Sequence, residues 1–119
     1  MKTEESLLQQ ACVKWFRLQY PNLRTLLFAV PNGGYRYQAT ARRLVAEGVV
    51  AGVADLLLLV PSHGYHGLCI EMKNGDKGRQ SLNQKNWQKK VEEQGYRYII
   101  CRDVKNFLIE VSKYLQKSL

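Results

Sequence analysis

The sequence has 119 residues, 45% hydrophobic and 24% charged, an ordinary globular mix that fits one compact domain over residues 1–119 and excludes a fibrous or low-complexity chain. Its 18 Lys and Arg against 10 Asp and Glu give a net charge of +8, which favours phosphate-bearing partners but is shared by many basic domains that bind no nucleic acid. No apolar run is long enough to span a membrane, the start Met1-Lys2-Thr3-Glu4-Glu5 lacks a signal-peptide core, and a cytoplasmic protein is expected.

Thr3 reads as an N-cap, with Glu4 and Glu5 in the first turn where acids suit the helix dipole. Leu7, Leu8, Ala11, Cys12, Trp15 and Leu18 then recur at helical spacing, so a first helix is expected from about Glu4 to Gln19, ending before Pro21. Leu26 to Val30 reads as a strand, Pro31-Asn32-Gly33-Gly34 as a loop, and Gln38 to Glu47 as a second helix stopped by Gly48. Val53 to Val60 has the length and composition of a fully buried strand. After a turn at Pro61 to Gly64, Gly67 to Lys73 reads as the next strand, the two forming a hairpin. Asn74 to Gly78 is a polar loop, and Ser81 caps a helix that turns Trp87 and Val91 inward and stops at Gly95. Tyr98 to Cys101 is a strand. Asp103 caps a last helix with Val104, Phe107, Leu108, Val111, Tyr114 and Leu115 on its apolar face. The order is αβαββαβα, an α/β class with a mixed sheet flanked by helices. Cys12, Cys69 and Cys101 are odd in number, mutually distant and set among apolar neighbours, so buried free thiols are expected rather than disulfides or a zinc site.

The chemistry concentrates on the hairpin. Asp55 opens an otherwise apolar strand, and charges are rarely buried unless paired or bound to a metal. Side chains alternate along a strand, so Glu71 and Lys73 share the face opposite to Leu68, Ile70 and Met72, about 6–7 Å apart. With Asp55 beside Glu71, two carboxylates and an ammonium converge. Such an oxygen-rich site suits Mg²⁺ or Mn²⁺ rather than zinc, and the Met72 backbone carbonyl is available to complete the ligand set. A cation there would polarise a phosphodiester and acidify water, with Lys73 orienting that water or stabilising charge on the phosphate.

Gly48, Gly52 and Val53-Ala54-Asp55, followed by Glu71-Met72-Lys73, resemble the pattern of the PD-(D/E)XK nucleases, most closely the VRR-NUC branch of virus-type replication-repair nucleases. Glu5 in helix one, Pro31-Asn32-Gly33-Gly34, the Gly78 to Gln84 stretch and Gly95-Tyr96 are similar to the small stand-alone members. The resemblance implies a restriction-endonuclease-like fold, with Asp55 and Glu71 as metal ligands and Lys73 serving the water or phosphate. It also implies Glu5 as an assisting acid and Gln84 as the glutamine near the active site; on its own Gln84 reads as a solvated residue of a polar helix face, and Gln80 or Gln88 could be taken for it. Ala54 stands where the family has Pro, which removes a rigid backbone unit and keeps the carboxylate. The implied activity is Mg²⁺-dependent, structure-selective DNA cleavage by a homodimer, of the Holliday-junction-resolvase kind.

Two other readings stand beside it: a basic DNA-binding module with the nuclease fold and no activity, and a subunit that acts only with a replication or repair protein. Residue by residue there are plainer roles. Asp55 could cap local amides, Glu71 and Lys73 could form a solvent-facing pair, and Arg42-Arg43 and Lys89-Lys90 are solvated helix faces by default. His63 and His66 read as turn residues, and Tyr35, Arg36 and Tyr37 as core caps or nucleic-acid contacts.

Overall fold

The computed structural model describes residues 3–31 and 38–117. Four helices and four strands appear in the expected order: α1 (Thr3–Gln19), β1 (Leu27–Ala29), α2 (Gln38–Ala46), β2 (Leu56–Leu58), β3 (Leu68–Met72), α3 (Leu82–Glu93), β4 (Arg97–Cys101) and α4 (Val104–Leu115). Asn32 to Tyr37, and with them most of the loop and aromatic stretch expected after β1, lie outside the described residues.

Local chemistry fixes the helix ends that matter to the site. Ser81 and Gln84 form a reciprocal capping box: Ser81 Oγ accepts the Gln84 N–H at 3.2 Å, and Gln84 Oε1 accepts the Ser81 N–H at 2.8 Å. Such caps stabilise by about 1 kcal/mol. Gly95, at φ +91°, takes the left-handed position after α3 and turns the chain into β4. Asp103 Oδ1 accepts the Asn106 N–H at 2.7 Å and starts α4.

The sheet order is β1-β2-β3-β4, antiparallel at the first two junctions and parallel between β3 and β4. The β2–β3 connection turns at His63 and Gly64, both at positive φ, with Ser62 and Tyr65 exchanging backbone hydrogen bonds. These are the features of a two-residue hairpin turn of the kind that matches strand twist. The parallel pair is bridged by α3 as a β-α-β crossover.

Alternation along the strands sends side chains into two layers. On one face Leu56, Leu58, Leu68, Ile70, Met72 and Cys101 meet Cys12 and Phe16 of α1 and Phe107, Val111 and Tyr114 of α4. On the other, Cys69 and Tyr98, with Leu57 and Ile100 beside them, meet Trp87 and Val91 of α3. All five residues of β3 are buried, because the strand has a neighbour on each edge and a helix layer on each face. Each large apolar side chain so placed contributes about 1.5–3 kcal/mol.

Three expectations need correction. The buried stripe of α1 is Leu8, Cys12, Trp15 and Phe16, whereas Leu7 and Leu18 are 60% and 75% exposed. Apolar residues there cover more than one face, and α4 and the sheet take only the Cys12–Phe16 side. The second strand is three residues rather than Val53 to Val60, and Leu59 is 52% exposed. Its outer partner β1 pairs with only those three residues. Thr3 is helical rather than the residue before the helix. The three cysteines are free and buried as expected, and burial pushes the Cys12 and Cys69 thiols up to about 11 and Cys101 to about 12. Among the described residues no helix is long and apolar enough to cross a membrane.

Candidate active site

Glu71 lies in the middle of the sheet and is 1% exposed, a charge placed where strands normally carry apolar residues. Leu56 pairs with Ile70 across the β2–β3 ladder, so one further step of that antiparallel register sets Asp55 opposite Glu71. Asp55 Oδ2 accepts the Met72 N–H at 2.7 Å, which ties the start of β2 to the end of β3. Lys73 follows β3 directly, its N–H bonded to the Cys101 carbonyl at 2.9 Å. Its Nζ lies 3.5 Å from Glu71 Oε2 and donates to Gln84 Oε1 at 3.2 Å.

The two oxygens of Glu71 are treated differently. Oε1 accepts the Tyr98 hydroxyl at 2.5 Å and the Gln80 amide at 2.9 Å. Oε2 is buried and, among the described residues, has no hydrogen-bond partner; it faces the Lys73 ammonium. Burial holds the Asp55 carboxyl above its ordinary range; the charges of Glu71 and Glu5 push the same way, while the Met72 N–H and Lys73 oppose them. Tyr98 is raised as well, by burial and by its bond to the Glu71 carboxylate, so its phenol keeps its proton and acts as a donor.

Close packing sets the surrounding loops. Gly52 adopts φ +88°, and a Cβ there would sit 2.5 Å from the Asn83 backbone, so the approach to Asp55 lies directly on the first turn of α3. A Cβ on Gly78 would come within 3.1 Å of Lys73 Cδ, so the loop after β3 covers the lysine stem. Arg102 donates to the carbonyls of Gly75 and Gly78 at 2.8 Å each and fastens that loop to the end of β4.

A solved structure described as a VRR-NUC domain protein superimposes with a TM-score of 0.83 at 22% identity, covering 97% of this chain and 90% of that one, a likeness of fold. The family model for the VRR-NUC domain matches residues 3–105. The chain belongs to the VRR-NUC family. No curated protein matches the sequence.

Within this VRR-NUC chain the structure brings together Asp55, Glu71, Lys73 and Gln84, and the Met72 peptide beside them. Glu5 is half-buried and acts on Asp55 through its charge, whereas Glu4 is exposed. The solvent-facing reading of Glu71 and Lys73 is excluded, since β3 is a central strand and the pair is 1% and 12% exposed. Asp55 does not cap its own local amides through that oxygen: the amide it holds belongs to Met72 on the neighbouring strand. His63 Nε2 lies 2.7 Å from the Gln116 carbonyl and His66 stacks on Tyr96, ordinary turn contacts.

The donor set fits a hard divalent cation. Glu71 Oε2 is a buried acceptor without a donor, and Asp55 stands opposite it with its charge disfavoured. Among the described residues no three His, Cys, Asp or Glu side chains cluster tightly enough to enclose an ion. Two carboxylates alone suit Mg²⁺ or Mn²⁺, which retain several waters, better than a zinc or calcium cage.

Sequence reasoning missed Tyr98 and Gln80 on Glu71, and Arg102 on the loop. Tyr98 carried a faint signal, a hydroxyl in a short apolar strand. Its meaning depends on the parallel register that pairs it with Cys69, two residues before Glu71.

Proposed function

We propose that this VRR-NUC chain is a metal-dependent deoxyribonuclease that hydrolyses phosphodiester bonds with Mg²⁺ or Mn²⁺. The observation that carries this reading is the buried Glu71 carboxylate, whose free oxygen faces Lys73 across from Asp55. A buried carboxylate oxygen without a hydrogen bond is costly even beside an ammonium, and such groups are kept where a ligand completes them. Asp55, Glu71 and the Met72 carbonyl would hold the cation, which would supply Lewis acidity towards the phosphate and the attacking water. Lys73, with its ammonium fixed by Gln84, orients the nucleophile or neutralises charge gathering on the phosphate oxygens. Glu5 adds negative charge beside Asp55, and Gln84 keeps the lysine in place.

The substrate reading is DNA, branched or duplex, bound by its backbone. The net charge of +8 supports it. So does a cleft of about 470 Å³ between α1 and β1, lined in part by Lys14, Arg17 and Arg24, which adds basic surface on the α1 side of the sheet. A Holliday-junction-resolvase-like homodimer, with two such centres across a two-fold axis, would cut two strands. The inactive-module reading has less support, because the carboxylates and the lysine are all present and converge.

The test is cleavage of duplex, single-stranded, flap and four-way-junction DNA by the purified protein in Mg²⁺, Mn²⁺ or EDTA. The Asp55→Ala variant and the oligomeric mass complete it. Metal-dependent cutting that disappears in Asp55→Ala is expected. Cutting that survives Asp55→Ala with the same metal dependence would sink the mechanism, and binding without turnover in any metal would favour an inactive or partner-dependent module.

A further inference from the structure

We infer that Tyr98 and Gln80 are positioning residues that dedicate one oxygen of Glu71 to the cation, an assignment that rests on the nuclease reading above. A carboxylate offers about four lone-pair sites over two oxygens. Here both protein donors converge on the same oxygen, Tyr98 at 2.5 Å and Gln80 at 2.9 Å. The other oxygen is also buried and, among the described residues, receives no hydrogen bond, with only the Lys73 ammonium 3.5 Å away. A carboxylate kept only for structure would have both oxygens hydrogen-bonded, because a buried acceptor without a hydrogen bond costs about 1–3 kcal/mol. The asymmetry assigns Oε1 to the protein and Oε2 to the ligand.

The donors are themselves held. The amide nitrogen of Gln80 also donates to Gln88 Oε1 at 2.8 Å, so both of its protons are committed and its carbonyl is turned away from Glu71. Gln88 in turn reaches Glu92 Oε2 at 3.4 Å, one turn further along α3. Tyr98 is 4% exposed and packs edge-on against Trp87, so water has little access to replace its hydroxyl. The chain Glu92–Gln88–Gln80–Glu71–Tyr98 thus runs from the solvent face of α3 to the centre of the sheet, and its inner end sets the rotation of the Glu71 carboxylate. Partners of metal ligands placed in this way typically change affinity by about 10–100-fold when removed.

The experiment is a titration of the full-length chain with Mn²⁺, without DNA, following the free-ion signal by electron paramagnetic resonance, alongside cleavage as a function of Mn²⁺. Tyr98→Phe and Gln80→Met each remove one donor with little change of shape. Val91→Ala, in the same packed layer but with no polar atom to offer Glu71, is the control for general loosening. The expected result is a Mn²⁺ dissociation constant raised about tenfold in each donor variant and unchanged in Val91→Ala. Cleavage at saturating Mn²⁺ should recover to within a few-fold of wild type. Should Tyr98→Phe fail to fold, Gln80→Met at its partly exposed site decides alone. Donor variants that bind Mn²⁺ within twofold of wild type, while wild type binds and cuts, overturn the positioning role and leave the nuclease reading intact. A Val91→Ala affinity loss equal to theirs overturns it too. A wild type that neither binds Mn²⁺ nor cuts overturns both.

Discussion

Replacing Asp55 by Asn should abolish cleavage and at the same time stabilise the metal-free protein. The amide keeps the shape and one acceptor for the Met72 N–H, so no buried amide is orphaned. That bond weakens by about 1 kcal/mol, the difference between a charged and a neutral acceptor. Against this, residues facing each other on paired strands have Cβ atoms about 5 Å apart. Two carboxylates at roughly that distance repel by about 3 kcal/mol at an effective dielectric of about 20. Attraction to Lys73 cancels much of the repulsion. The sign of the remainder follows the carboxyl itself, which burial first, and then the charges of Glu71 and Glu5, hold above its ordinary range, so the charged form is less favoured here than in the unfolded chain. A net gain of about 1 kcal/mol is therefore expected, in the usual range for neutralising a functional residue. In a chain of this size that is about 3–5 °C in Tm. A group whose folded pKa is raised contributes stability below its unfolded value, near 3.8, and loses it as pH rises through the folded value. The gap between variant and wild type should thus be closed in strong acid and open as pH rises above 3.8. Thermal unfolding in EDTA across pH measures it. An Asp55→Asn protein that melts at or below wild type at neutral pH in EDTA would refute the electrostatic account of the site.

Two further substitutions test how the site is held. Gly52→Ala forces a methyl to within 2.5 Å of the Asn83 backbone at φ +88°. It should lower cleavage by pushing the Asp55 approach off α3, with a stability loss of about 1–3 kcal/mol in a melt; unchanged turnover would show that the loop does not position Asp55. Phe107→Ala empties the fully buried centre of the α1–α4 layer, on the face of the sheet away from Glu71. It should cost about 3–5 kcal/mol in denaturant unfolding, while turnover per folded molecule at low temperature stays near wild type; a selective loss of turnover would mean that this layer shapes the site.

Much of the site was readable because it depends on local rules. Strand alternation alone put Glu71 and Lys73 on one face, and the anomaly of Asp55 at the head of an apolar run marked the second carboxylate. Ser81 and Asp103 announced α3 and α4 because a capping side chain and the helix it starts are adjacent in sequence. What was hidden depends on pairing between distant segments. Tyr98 meets Glu71 only because the α3 crossover sets a register in which Cys69 lies beside Tyr98 and Glu71 beside Ile100, and no periodicity within either strand encodes that offset. Gln80 precedes its helix and looks like loop polarity. The ends of β2 were overread for a related reason: apolar composition reports burial, whereas ladder length is limited by the short partner β1. In α1 the apolar residues outnumber what one face can bury, so periodicity alone left the phase between Leu7–Leu18 and Cys12–Phe16 open.

The placement of α3 has a mechanical consequence. Its first turn grips Lys73 through Gln84, and its second grips Glu71 through Gln88 and Gln80. The Glu71 carboxylate and the Lys73 ammonium therefore share one mount. A shift of that helix slackens both holds together, so a half-built centre, with the carboxylate set but the lysine adrift, is disfavoured relative to one with both side chains held or both released.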